Sequence, residues 1–136
     1  MTIAIDFDGT VVRHEYPLVG EDCPFAEKTL KRLVKAGHRL ILFTMRHDKE
    51  LEDAVSWFAE RGIPLFGINE NPEQKVWTSS PKAYANLYID DAALGCPLIE
   101  NGVDRAYVDW LAVYNWLDMH DLFNYWDSET QNVETA

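Results

Sequence analysis

The chain is short of cysteine and of positive charge, and it has no long hydrophobic run. Its two cysteines, Cys23 and Cys96, form no CxxC spacing and have no neighbouring set of histidine ligands. A disulfide framework and a zinc site are therefore not what organises the fold, and both thiols are expected to be reduced and structural. Twelve basic residues stand against 23 acidic ones, a formal charge of −11. That surplus argues against a nucleic-acid backbone or an anionic membrane as the main partner. No apolar run approaches a membrane span and no basic-then-apolar leader opens the chain, so a soluble cytoplasmic protein is expected. Repeats, low-complexity segments and linkers are also missing. With 136 residues, one domain is expected, over residues 1–126. Residues 127–136 lack apolar anchors and are expected to be a disordered tail.

What is present is an alternation of strand-like and helix-like segments. Thr2–Phe7 is β-rich and stops at Asp8-Gly9-Thr10, a turn signal. Phe25–Ala36 has helical spacing through Phe25, Leu30, Leu33 and Val34, with Gly37 placed to end it. Arg39–Phe43 reads as a buried strand, Lys49–Arg61 as a second helix and Pro64–Ile68 as a short third strand. A polar loop over 69–81 then leads to a fourth strand, Leu87–Ile89, and residues 103–126 read as helical and crowded with aromatics. Near-continuous apolar strands alternating with helices predict an α/β fold: a doubly wound, Rossmann-like parallel sheet with helices on both faces. Ligands of such sheets bind beyond the carboxyl ends of the strands. Asp6 with Asp8, Thr44, and Asp90 with Asp91 each fall there.

Asp6-Phe7-Asp8-Gly9-Thr10 is the strongest local signal. Carboxylates two positions apart share a face of an extended strand and repel each other unless a cation or a proton intervenes. A hard divalent ion with oxygen ligands, Mg²⁺ above all, resolves that repulsion, although two acids can also simply cap a turn. Asp90-Asp91 brings a second pair to the same edge, or else begins a turn of helix at Ala92-Ala93. Thr44 is placed to donate to a phosphate oxygen, or to N-cap the helix containing Leu51. Lys82 either neutralises a phosphate or is a solvated surface charge. Arg46 is a further candidate for gripping a substrate. His14, His38, His47 and His120 are dispersed and are given no catalytic role.

Taken together, these motifs resemble the haloacid dehalogenase superfamily of phosphotransferases. Asp6-Phe7-Asp8-Gly9-Thr10 matches the first motif, Thr44 after an apolar strand the second, Lys82 the third and Asp90-Asp91 after Tyr88-Ile89 the fourth. They run from residue 6 to residue 91 in the family's order. The resemblance implies a phosphatase that forms an aspartyl-phosphate on Asp6, with Asp8 as general acid and base. It also implies Mg²⁺ held by the Asp6 side chain, the Asp8 backbone carbonyl and Asp90, with Asp91 in support. Thr44 and Lys82 would orient the phosphoryl group and balance its charge. A local Mg²⁺ and Lys82 would also reconcile an anionic substrate with an acidic protein.

The intervals after Asp8 and after Thr44 leave no room for the inserted cap domain that many members of this superfamily carry, so a capless, open site is expected. Such a site admits a sugar phosphate, a nucleotide or a larger phosphorylated biomolecule. Surplus aromatics such as Trp110, Tyr114, Trp116, Tyr125 and Trp126 suggest a homo-oligomer contact beyond core packing. A phospho-acceptor signalling module, like the two-component receivers, is the competing reading. Chain order disfavours it, because the lysine here precedes the second acidic pair. A non-catalytic binding module of similar fold is the remaining alternative.

Overall fold

A computed structural model describes residues 1–124; the expected tail and the aromatics Tyr125 and Trp126 lie outside the described residues. The central sheet has four parallel strands: β1 (Thr2–Ile5), β2 (Arg39–Leu42), β3 (Gly67–Ile68) and β4 (Leu87–Ile89). Their order is β3-β2-β1-β4. All four residues of β1 are buried, as a strand flanked on both edges and covered on both faces must be. Register pairs Ile3 with Leu40 on one side and with Leu87 on the other.

Alternation along the strands divides the interior in two. Ile3, Ile5, Leu40, Leu42 and Ile89 enter the larger core. That core also takes Leu30 and Leu33 from α1 (Ala26–Lys35), Trp57 and Phe58 from α2 (Asp48–Glu60), and Trp110, Val113 and Leu117 from α3 (Trp110–Met119). Ala4 and Ile41 point the other way, into a small cluster with Ala85, Phe66 and Tyr88. The three helices thus feed one core. Across the second face, where a helix layer was expected, the connection from β3 to β4 contributes a loop with a single 3-10 turn, Gln74–Val76.

Buried amides order that loop. The Gln74 side chain donates to the carbonyls of Ser80 and Lys82 and accepts from the Tyr84 backbone N–H. Asn71 donates to the Tyr84 carbonyl, and the Tyr88 hydroxyl donates to that of Ala83. Two side-chain amides replace the ladder that a helix would have supplied.

Several boundaries differ from the sequence reading. The third strand shrinks to Gly67–Ile68. The expected helical stretch over 103–126 contains an extended segment, β6 (Tyr107–Val108), which pairs antiparallel with β5 (Leu98–Ile99) before α3 begins. Asp109 sets that start, since its carboxylate accepts from the Ala112 N–H at 3.2 Å. Within α3, Trp110, Val113 and Leu117 are buried at helical spacing, whereas Leu111, Trp116 and Met119 remain exposed. α1 ends where expected: Gly37 at φ 94° lets its own N–H reach Val34 and that of His38 reach Leu33.

Candidate functional site

β1 delivers its carboxyl end into a tight loop. Phe7 is fully buried against Trp57 and Phe58, with ring centroids 6.3 and 6.2 Å away, and its carbonyl accepts from the N–H groups of Thr10, Val11 and Val12. Anchoring Phe7 in the core leaves the two neighbouring aspartates at the strand terminus. Gly9 then turns the chain at φ 78°. A Cβ at Gly9 would lie 1.9 Å from His14 Nε2 and 2.5 Å from Asp91 Oδ2, so only glycine fits between these groups.

Since β4 lies beside β1, its carboxyl end brings Asp90 and Asp91 to the same place; the Asp6 N–H donates to the Ile89 carbonyl at 3.0 Å. One carboxylate oxygen from each of Asp6, Asp90 and Asp91 lies within 4.8 Å of the others. Thr10, fully buried, joins the two strand ends. Its hydroxyl donates to Asp6 Oδ2 at 2.8 Å and accepts from the Asp91 N–H at 3.1 Å. Behind it, Trp110 Nε1 donates to the Thr10 carbonyl and the Val108 N–H to that of Gly9, so the β5–β6 ribbon and α3 brace the loop. His14 completes the group, with Nε2 2.9 Å from Asp91 Oδ2.

The electrostatics follow from this crowding. Burial pushes the Asp6 carboxyl up to about 8; the Thr10 hydroxyl opposes the rise, and the charges of Asp90 and Asp91 add to it. Asp90 is raised as well, first by burial and then by Asp91, against the Ala92 N–H that it accepts. Three converging carboxylate oxygens, which no lysine or arginine among the described residues pairs with, form a donor set suited to a hard divalent cation. Burial also raises both thiols, Cys23 to about 12, so neither is poised as a thiolate.

Asp8 goes elsewhere. Both its oxygens accept from Arg46, Oδ2 from Nε and Oδ1 from Nη2, each at 2.7 Å. The Arg46 side chain is only 1 % exposed, and its remaining N–H groups donate to the carbonyls of Leu18, Glu50 and Pro17. A guanidinium has five N–H donors, and all are committed here. Arg46 is therefore a clamp on Asp8 and on the loop through Pro17 and Leu18, with no donor left for a substrate. The two carboxylates of the first motif do not share a cation through their side chains, because Asp8 turns to Arg46 instead.

Neither Thr44 nor Lys82 bonds the acidic group through its side chain among the described residues. The Thr44 hydroxyl accepts from the Arg46 N–H at 3.1 Å, while its own N–H donates to Asn69 Oδ1 at 2.8 Å. It does not cap α2, whose N-cap is His47. Lys82 is exposed, its Nζ 5.5 Å from the centre of the Tyr88 ring, and it makes no ion pair among the described residues. The sequence reading gave no role to Thr10 as a bridge or to His14. The only signal for either is the Gly9 turn, which sends the chain back across the strand ends.

No protein-family model and no curated protein matches this chain. Among solved structures, a conserved protein from Bacteroides thetaiotaomicron matches with 39 % identity and a TM-score of 0.72. The match covers 88 % of this chain and 91 % of the other. With that identity over nearly the whole of both chains, this protein belongs to the same family as the conserved Bacteroides thetaiotaomicron protein.

Proposed function

We propose that the chain is a Mg²⁺-dependent phosphatase of the haloacid dehalogenase type, hydrolysing a phosphate monoester through Asp6. The observation that carries the reading is the meeting of Asp6, Asp90 and Asp91 at the carboxyl ends of two adjacent parallel strands. β1 and β4 flank the point where the strand order reverses, which is where open parallel sheets take their ligands. That order also supports a doubly wound, cap-free fold whose second layer is reduced to a loop.

Asp6 Oδ2 is oriented by the Thr10 hydroxyl, which leaves the other oxygen as nucleophile toward phosphorus. Attack forms an aspartyl-phosphate and releases the alcohol; water then cleaves the acyl phosphate and restores Asp6. A bound Mg²⁺ would offset part of the charge of the carboxylates and of the phosphoryl oxygens. Asp8 is the acid–base group of this scheme. In the resting geometry both its oxygens accept from Arg46, so giving a proton to the leaving oxygen requires the carboxyl to turn away from that clamp. Thr44 and Lys82 are the residues that would orient the phosphoryl group and balance its charge.

The test is phosphate release from a panel of monoesters, with Mg²⁺ and with chelator, by wild type and by Asp6→Asn. Turnover that needs the cation and vanishes in Asp6→Asn, with folding intact, is the expected result. Turnover that survives in Asp6→Asn removes Asp6 as nucleophile.

A further inference from the structure

A polar cavity of about 450 Å³ opens between the loop after the Gly9 turn and the segment leading into β6. Its lining includes Arg13, His14, Glu15, Leu18, Glu21 and Arg105. The volume falls among those of small-ligand sites. Two lining residues connect it directly to the chemistry. His14 contacts Asp91, and the Leu18 carbonyl accepts from Arg46, the same guanidinium that grips Asp8. The cavity thus reaches Asp91 through His14, and Asp8 through Leu18 and Arg46, although no aspartate of the site lines it.

The charges around the cavity select what can enter. Glu15, Glu21 and Arg105 are exposed, and none of their side chains bonds another among the described residues. Arg13 is held by the Tyr107 hydroxyl at 3.1 Å and lies 3.9 Å from Asp104, with its buried Nε left without a partner. A second phosphate would meet three carboxylates of the lining, Glu15, Glu21 and Asp104, against one arginine, Arg105, that is not already engaged. An apolar group would strip water from free charges and return nothing. Hydroxyl groups both donate and accept, so an uncharged polyol can satisfy carboxylates and guanidinium together.

Building on the phosphatase reading, we infer that this cavity receives the leaving group of the substrate, and that the leaving group is a polyhydroxylated, uncharged alcohol, as in a sugar phosphate. Carboxylates of Glu15 and Glu21 accept from its hydroxyls, and Arg105 donates to them. Nucleotides, which carry a base and, in di- and triphosphates, further negative charge, fit this lining poorly.

Two measurements decide it. The first is the ratio of kcat/KM for a hexose 6-phosphate to that for p-nitrophenyl phosphate, in wild type, Glu15→Gln, Glu21→Gln and Arg105→Ala. The second is the affinity of the same hexose phosphate for Asp6→Asn in Mg²⁺, with and without those three substitutions, read by calorimetry. We expect the ratio to fall and the dissociation constant to rise about tenfold in at least two of the variants. An unchanged ratio with active enzyme overturns the cavity's role, as does an unchanged or undetectable affinity. If wild type releases phosphate from no ester, yet binding weakens in the variants, the phosphatase reading fails and the polyol site stands.

Discussion

Replacing Arg46 with methionine removes the guanidinium while keeping an unbranched stem, and the structure fixes what that should cost. The Arg46 side chain is 1 % exposed and that of Asp8 19 %. Breaking a buried ion pair by deleting one partner costs about 3–5 kcal/mol, because the remaining charge is left uncompensated. Some water reaches Asp8, so the lower end applies, about 3 kcal/mol, although the freed carbonyls of Leu18 and Glu50 add to it. Set against a stability of roughly 5–15 kcal/mol for an ordinary domain, this is a large fraction. With a urea slope of about 2 kcal/mol per molar, the midpoint should fall by about 1.5 M. Arg46→Lys keeps the charge but cannot form the two-pronged contact, and should lie between wild type and Arg46→Met. A double-mutant cycle with Asp8→Asn should return a coupling of about 1–3 kcal/mol. Urea unfolding followed by tryptophan fluorescence measures all five proteins. If Arg46→Met unfolds within about 0.5 kcal/mol of wild type, or loses as much in the Asp8→Asn background as alone, the clamp is wrong. The substrate-gripping role then returns, with its own signature of raised KM at unchanged stability.

A second prediction concerns pH. The folded state holds the Asp6 proton more tightly than the unfolded chain, with its pKa raised from 3.8 to about 8, so in chelator the fold should lose stability as pH rises through that interval. The stability of Asp6→Asn relative to wild type should therefore increase by a few kcal/mol between pH 5 and pH 8.5, and Mg²⁺ should close the gap; thermal melts showing the same gap at both pH values refute the crowding argument. A third is that Gly9→Ala combines a left-handed backbone penalty of about 1 kcal/mol with a direct clash on His14 and Asp91. It should lower the melting temperature and suppress the upward shift that divalent cation produces, with partial recovery in the Gly9→Ala, His14→Ala double variant; wild-type melting with and without cation would count against the close approach.

The parts of this fold that could be read in the sequence are those where one local rule dominates. Runs such as Leu40-Ile41-Leu42 can only be buried strands, and Gly37 and Gly62 punctuate helices whose apolar faces are regular. The acidic convergence was likewise visible, because parallel strands put their carboxyl ends at one edge whatever the loops do. Contacts between loops were not visible. Nothing in Thr44-Met45-Arg46 indicates that Arg46 would bury itself on Asp8, since its partners include carbonyls from a distant irregular segment. Tyr107-Val108 was read as helical because the aromatics beyond Asp109 continue an apolar pattern that periodicity cannot divide. The polar loop over 69–81 was legible, but that all three helices pack on the opposite face was not, because an apolar helix face does not say which side of the sheet it covers.

The placement of β1 has a consequence for how the acidic site comes into being. Ile3 pairs with Leu40 on one side and with Leu87 on the other, so the first pairing closes a far shorter loop than the second. Loop-closure entropy favours the shorter one, and the β1–β2 unit should form early, with Asp6 still remote from Asp90 and Asp91. Mutual repulsion among the three carboxylates is then felt only when β4 docks, late on the pathway. A divalent cation should accordingly slow unfolding and leave the refolding rate nearly unchanged, a split that chevron plots with and without Mg²⁺ would display directly.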